Sequence, residues 1–232
     1  MTLILHIDTA VETGSISLAA DGKLIRLLIN DDQKDHAAWI HTAISSMIND
    51  TGYKLKDIAA VAVSNGPGSY TGLRIGLAAA KGICYALQVP LITIGTLDIM
   101  VKAALDTISS ELRPDMGLLC PMIDARRMEV YTALYKMDLS VVLIPHAVEI
   151  DQNSFDEILA KHPVLFFGNG SLKLKNIITH TNAIFADLKY YGAAHMNEFS
   201  LQSYDKNEFS DVALTEPLYI KEFFDQSSFT KK

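Results

Sequence analysis

Apolar positions follow two periods along this chain, and the period changes mark its elements. Leu3 to Ile7 is an apolar run interrupted only by His6, with the length of a buried strand. Ser15 to Ala19 and Leu24 to Ile29 are further β-rich runs, joined by Asp21-Gly22, a strong hairpin signal. Together they predict a three-stranded meander. Ile40, Ala43, Ile44, Met47 and Ile48 then recur at helical spacing, with Asp35 expected as N-cap, Gly52 as stop, and Trp39 widening the stripe. Ile58 to Val63 reads as a strand that runs into Asn65-Gly66-Pro67-Gly68-Ser69-Tyr70-Thr71-Gly72, and from this loop a helix extends to Leu87. After Pro90 come a short strand, Leu91 to Ile94, and a helical stretch to about Ile108. The order βββαβαβα predicts an α/β fold with a mixed sheet flanked by helices.

Beyond the polar stretch Ser109 to Asp115, where Pro114 marks an expected boundary, the pattern begins again. Met122-Ile123-Asp124 leads into Val130 to Tyr135 as Ile7-Asp8 leads into the second strand. Val164 to Phe167 runs into Gly168-Asn169-Gly170-Ser171 as Val61 to Val63 runs into Gly66-Pro67-Gly68-Ser69. Two such echoes predict an internal duplication into domains 1–108 and 109–232, with a polar tail from 225 to 232 expected to fray.

The 232 residues are 49% hydrophobic and 20% charged, enough to build a core without disulfide staples. A formal charge of −7 is a poor match for a surface that wraps a polyanion, because phosphate contacts carry most nucleic-acid affinity. Cys84 and Cys120 lack Cys or His neighbours at metal-ligand spacing, so neither a disulfide framework nor a zinc site is indicated and a reducing cytoplasm fits best. Met1 to Asp8 has no basic leader, and the apolar stretch Leu73 to Leu87 is too short to span a bilayer.

The glycine loop is the strongest local signal. A strand, a Gly-rich turn and a helix N-terminus can present free N–H groups to an anion, yet Gly66, Gly68 and Gly72 match neither the dinucleotide fingerprint nor a P-loop. The same glycines also suit a tight turn with close packing. Asp8 and Asp124, each at a strand end, either hold hydrated magnesium beside a phosphate or cap their own turns. The helix from Gly72 is apolar almost all round, with Gly72, Gly76, Ala80 and Cys84 at intervals of four, so it is either wholly covered by its own domain or partly by another chain. His36 and His41 are spaced poorly for a shared metal and read as surface histidines. No G-x-S-x-G or other local nucleophile set is present.

Ser64 to Pro90, SNGPGSYTGLRIGLAAAKGICYALQVP, closely resembles the hallmark of the TsaB family, also called YeaZ, of tRNA threonylcarbamoyladenosine biosynthesis proteins. Ile7-Asp8-Thr9-Ala10 resembles its opening strand, Asp124 to Tyr131 its second hairpin, and Pro217-Leu218-Tyr219-Ile220-Lys221 its C-terminal pattern. The resemblance implies a duplicated actin-like, RNase H-like fold of the sugar-kinase and Hsp70 superfamily (ASKHA). It also implies a non-catalytic subunit that binds the catalytic TsaD and works with the ATPase TsaE. That assembly transfers threonylcarbamoyl to N6 of the adenosine beside the anticodon in tRNAs reading codons that begin with A, so tRNA is met only through the complex.

The catalytic paralogue carries metal-binding histidines where Gly95, Thr96 and Met100 stand here, and the first phosphate loop of the superfamily usually has glycine where Ala10 stands. These departures lead to the expectation of no cofactor, no metal, and at most a vestigial anion or nucleotide site at Asp8, Thr9, Gly66, Gly68, Ser69, Asp124, Gly168 and Gly170. The expected partner-binding residues are Trp39, Ile40, Ala43, Ile44 and Met47 on the first helix, and Leu73, Ile75, Gly76, Ala79, Ala80 and Ile83 on the glycine-loop helix. Without the partner, the same face is expected to form a homodimer. The competing reading is an autonomous kinase of the actin-like superfamily or a metallopeptidase-like enzyme.

Overall fold

The computed structural model describes residues 1–32, 36–107 and 117–220. The expected cap Asp35, the boundary at Pro114 and the tail from 225 lie outside the described residues. The first sheet has strands β1 (Leu3–Asp8), β2 (Gly14–Ala20), β3 (Lys23–Asn30), β4 (Ala60–Ser64) and β5 (Leu91–Ile94) in the order β3-β2-β1-β4-β5. The second has β6 (Leu118–Asp124), β7 (Glu129–Tyr135), β8 (Val141–Glu149), β9 (Val164–Phe167) and β10 (Ala183–Phe185) in the order β10-β9-β6-β7-β8. In each, the first strand pairs antiparallel with the second and parallel with the fourth. The two short echoes in the sequence are therefore a repeat of topology.

β1 is buried at every position because both faces of its sheet are covered. Leu3, Leu5 and Ile7 point into a core with helices α1 (His36–Thr51) and α2 (Tyr70–Leu87). Ile4 points to the opposite layer, formed by Ala193, Met196 and Phe199 around the start of a C-terminal helix that runs Asn197–Asp205. His6 faces this layer too, and its Nε2 lies 2.7 Å from Ser200 Oγ. Strand alternation puts a histidine there, and a serine one helix away receives it.

The halves trade helices. Helix α3 (Thr96–Thr107) follows β5, yet Leu97, Met100, Val101 and Ala104 enter the core of the second sheet, while Ile99 enters that of the first. Tyr135 on β7 fixes the crossing by donating its hydroxyl proton to Asp98 Oδ1 at 2.8 Å. Where the first half has the long α1 and α2, the second has, among the described residues, the short α4 (Asp156–Leu159) and α5 (Ser171–Lys175); the helix Asn197–Asp205 is α6. After α6 the chain returns as a strap. Ser210 N–H donates to Leu91 O at 2.8 Å, Val212 packs on the first core, and Leu218 N–H donates to Asn65 O at 2.7 Å.

His36 is a correction to the sequence reading. It is 1% exposed, with Nδ1 3.4 Å from the Asn30 amide nitrogen and Nε2 3.5 Å from Val11 O. A side chain at Gly14 would strike its ring, so that glycine makes the room in which the histidine is buried.

Candidate functional site

Between the halves opens a cleft of about 780 Å³, walled by Ala10 to Glu12, the glycine loop, the turn from Ile123 to Arg127, Lys173 and the strap end at Leu218 to Ile220. Of the residues expected at an anion or nucleotide site, Gly68, Ser69 and Asp124 line it, while Asp8, Thr9, Gly66, Gly168 and Gly170 do not. Their geometry decides what each does.

Ser69 caps α2, its Oγ accepting from Gly72 N–H at 3.3 Å. The rest of the helix N-terminus lies against the end of β1. Ser69 N–H donates to Ala10 O at 2.7 Å, and the Thr9 hydroxyl donates to Gly72 O at 2.7 Å. A Cβ at Gly68 would enter Ala10 O, one at Gly72 would enter Thr9 O, and one at Gly76 would meet the Thr9 hydroxyl. The glycines are thus consumed by backbone packing within the chain, and the loop's second reading from sequence is the one the geometry supports. Gly168 and Gly170 play the same part in the second half, against Met122 and Ile123.

The two aspartates make the same local turn in both halves. Asp8 Oδ1 accepts from Ala10 N–H at 3.0 Å, and Asp124 Oδ1 accepts from Arg126 N–H at 2.6 Å. Their surroundings differ. Asp8 is fully buried, and its Oδ2 has no hydrogen-bond partner among the described residues. Burial raises its pKa above the ordinary carboxylate value, with Ser64, the Ala10 N–H and His36 pulling the other way. Asp124 lies in the open cleft. Partial burial pushes its pKa up, but Lys173 and the Arg126 N–H outweigh this and the net shift is downward. Lys173 Nζ sits 2.6 Å from Asp124 Oδ1 and 3.0 Å from Glu129 O, so the lysine fills the place a cation would take beside that carboxylate. Among the described residues, no three His, Cys, Asp or Glu side chains converge for a metal. Gly95 adjoins the Asp98 carboxylate, while Thr96 and Met100 are buried in α3.

The expected partner residues need correction. Ile40, Ala43, Ile44 and Met47 on α1, and Leu73, Gly76, Ala79 and Ala80 on α2, are buried inside the first half. The helical stripe that singled them out is the core face, and the first sheet already covers it. Trp39, Ile75 and Ile83 are half-buried at the margin. The side presented outward carries Ala38, His41, Thr42 and Ser45 on α1 and Arg74, Ala78, Gly82 and Tyr85 on α2. Gly82 has no atom within 4 Å of where its Cβ would stand, so the interior gives no reason for a glycine there.

Two clusters escaped the sequence reading. Lys173 lies 49 residues from Asp124, and no spacing rule links them. Arg74 lies over the Tyr70 ring at 4.0 Å from its centroid, and its Nε donates to Tyr219 Oη at 2.9 Å, tying the strap to α2.

Comparison with known proteins places these features in a group. The family model described as "TsaD: tRNA N6-adenosine threonylcarbamoyltransferase" matches residues 30–214. A Bacillus subtilis protein named tRNA threonylcarbamoyladenosine biosynthesis protein TsaB is 34% identical over 183 residues, 75% of this chain and 74% of the relative. The protein of the same name from Escherichia coli is 34% identical over 58% of this chain and 55% of its own length. Among solved structures, YeaZ from Pseudomonas aeruginosa superposes with a TM-score of 0.79 at 20% identity, covering 94% of this chain and all of that one. A second Pseudomonas aeruginosa structure, described as similar to peptidase YEAZ, gives a TM-score of 0.81 at 20% identity over 95% of this chain. The fold is the duplicated actin-like one, two mixed sheets flanked by helices.

Proposed function

The chain belongs to the TsaB family of tRNA threonylcarbamoyladenosine biosynthesis proteins, and from that premise we propose that it is the non-catalytic subunit which docks a TsaD-type catalytic subunit. In this reading, the partner transfers threonylcarbamoyl to N6 of the adenosine beside the anticodon, a TsaE-type ATPase completes the assembly, and tRNA is met only through it. The place of work is the cytoplasm; no helix among the described residues is long and apolar enough to cross a membrane.

One observation carries the reading. The groups expected to handle a metal nucleotide are poorly placed for it: the loop glycines Gly68 and Gly72 pack on the backbone of Ala10 and Thr9, Asp8 is buried, and Asp124 is held by Lys173. A kinase needs such groups open to the metal and phosphates. The outward side of α1 and α2 is open to a partner. Its small residues Ala38, Ala78 and Gly82 suit the close approach of another helix pair. In isolation the same side would meet a second copy, giving the homodimer.

Reconstitution tests this. Catalytic subunit, ATPase, threonylcarbamoyl-adenylate source and tRNA should modify the nucleoside only when this chain is added, and this chain alone should modify none. Modification by the chain alone would overturn the reading.

A further inference from the structure

The chain passes from one half to the other along α3 and returns through the segment between β10 and α6, and each passage is packed on both halves. On α3, Leu97, Met100 and Val101 enter the second core, while Ile99 enters the layer against the first sheet. On the return, Leu188 and Tyr191 pack on the second core, whereas Ala193 and Met196 pack on the first sheet. Ala193 N–H also donates to Ser15 Oγ at 2.9 Å. Lys102 on α3 joins the two passages through Glu198 on α6 at 3.3 Å. A clamp that opens and closes needs the opposite, a few linking residues free to absorb a change of φ and ψ.

Helix α3 also touches the glycine turns of both halves. Thr96 N–H donates to Gly66 O at 2.8 Å, at the head of the loop whose Pro67, Gly68 and Ser69 wall the cleft. Four residues on, the Met100 methyl lies against Gly168, where a side chain would strike it, and the neighbouring Asn169 lines the cleft from the second half. Four residues of helix span about 6 Å, so a single turn of α3 sets the spacing of the two glycine turns. We propose that α3 is a strut that fixes the width of the cleft, latched in register by the Tyr135–Asp98 hydrogen bond, so that the halves do not close on a ligand. This goes beyond the docking function proposed above and does not depend on it.

The latch follows from where its two groups lie. Tyr135 is 1% exposed, among apolar side chains of the second core, and its hydroxyl reaches Asp98 Oδ1 at 2.8 Å. Sliding or turning α3 on the second sheet would leave a buried hydroxyl without its acceptor, which is costly in an apolar core. Asp98 is held in turn from the start of its own helix: its Oδ2 occupies the place a side chain at Gly95 would need. Close-packed cores pass between discrete arrangements and do not deform continuously, so one polar pair in register selects one arrangement.

Spin labels on Glu12→Cys and Arg127→Cys, exposed positions lining the cleft from the two halves, measure its width by pulsed electron resonance of the full chain; the native Cys84 and Cys120 are buried. The labelled chain should give one narrow distance distribution, unchanged by Mg·ATP. Adding Tyr135→Phe, which removes only the hydroxyl, should broaden that distribution about twofold. Two separate distances in the labelled chain, a shift on adding Mg·ATP, or a Tyr135→Phe distribution as narrow as the parent's would each overturn the proposal. If Tyr135→Phe does not fold, hydrogen exchange of the parent decides: amides of residues 99–104 in α3 should exchange as slowly as those of β6, and faster exchange in α3 would contradict the strut.

Discussion

His6 and Asp8, two residues apart on β1, pull the stability of this protein in opposite directions with pH. Ser200 spends its proton on Asn197 O at 3.1 Å, which leaves the neutral imidazole to place its own on Nε2. Burial lowers the His6 pKa to about 3, with a smaller opposing pull from the Ser17 backbone. The unfolded chain therefore takes up a proton near pH 6.5 that the folded chain refuses. Stability from His6 is whole above about pH 6.5 and is lost as pH falls toward 3, by at most about 1.4 kcal/mol per pH unit. Asp8 has the reverse sign: its raised pKa means the folded chain keeps a proton the unfolded chain releases, so its contribution declines as pH rises past the ordinary carboxylate value. Denaturant melts of the parent and His6→Asn at pH 7 and pH 5 should differ in slope, the variant losing less stability on acidification; equal losses would contradict the assignment. The sequence showed a histidine interrupting an apolar strand and nothing about Ser200, because the two are joined only by folding. It likewise left Asp8 and Asp124 equivalent, and only tertiary neighbours separate the buried acid from the one held by Lys173.

Helix α2 holds the clearest contrast at the scale of elements. Gly72 and Gly82 look alike in sequence, but a methyl at Gly72 meets the Thr9 carbonyl whereas one at Gly82 meets open space. Gly72→Ala should cost about 1–3 kcal/mol through overpacking, and Gly82→Ala should stabilise the isolated chain by about 1 kcal/mol through helix propensity. Chemical denaturation of both variants checks the pair, and a stabilising Gly72→Ala would refute the packing assigned to the loop. The periodicity located α1 and α2 well, since burial of an amphipathic face is a local signal. It misdirected the partner residues, because a stripe reports which side is covered and leaves open what covers it. β8 escaped notice: its apolar run Val141 to Ile144 does not alternate, and Pro145 interrupts it. Three-residue β10 is too short for any period to register.

Across the whole molecule, duplication was legible because both halves keep a strand ending in Asp and a strand ending in glycines, the two places where backbone must approach backbone closely. The trade of helices was not, since α3 follows the first sheet in sequence and packs largely on the second. A cut at 108 would separate α3 from the side chains it meets there. Each wall of the cleft is packed within its own half, and the proposed partner surface is the outward side of α1 and α2. Hydrogen exchange of the chain with and without the catalytic subunit tests this division directly. New protection should appear in residues 37–45 and 74–86, with residues 123–131 and 168–175 around the cleft unchanged. Protection confined to the cleft, with the two helices exchanging as in the free chain, would contradict it.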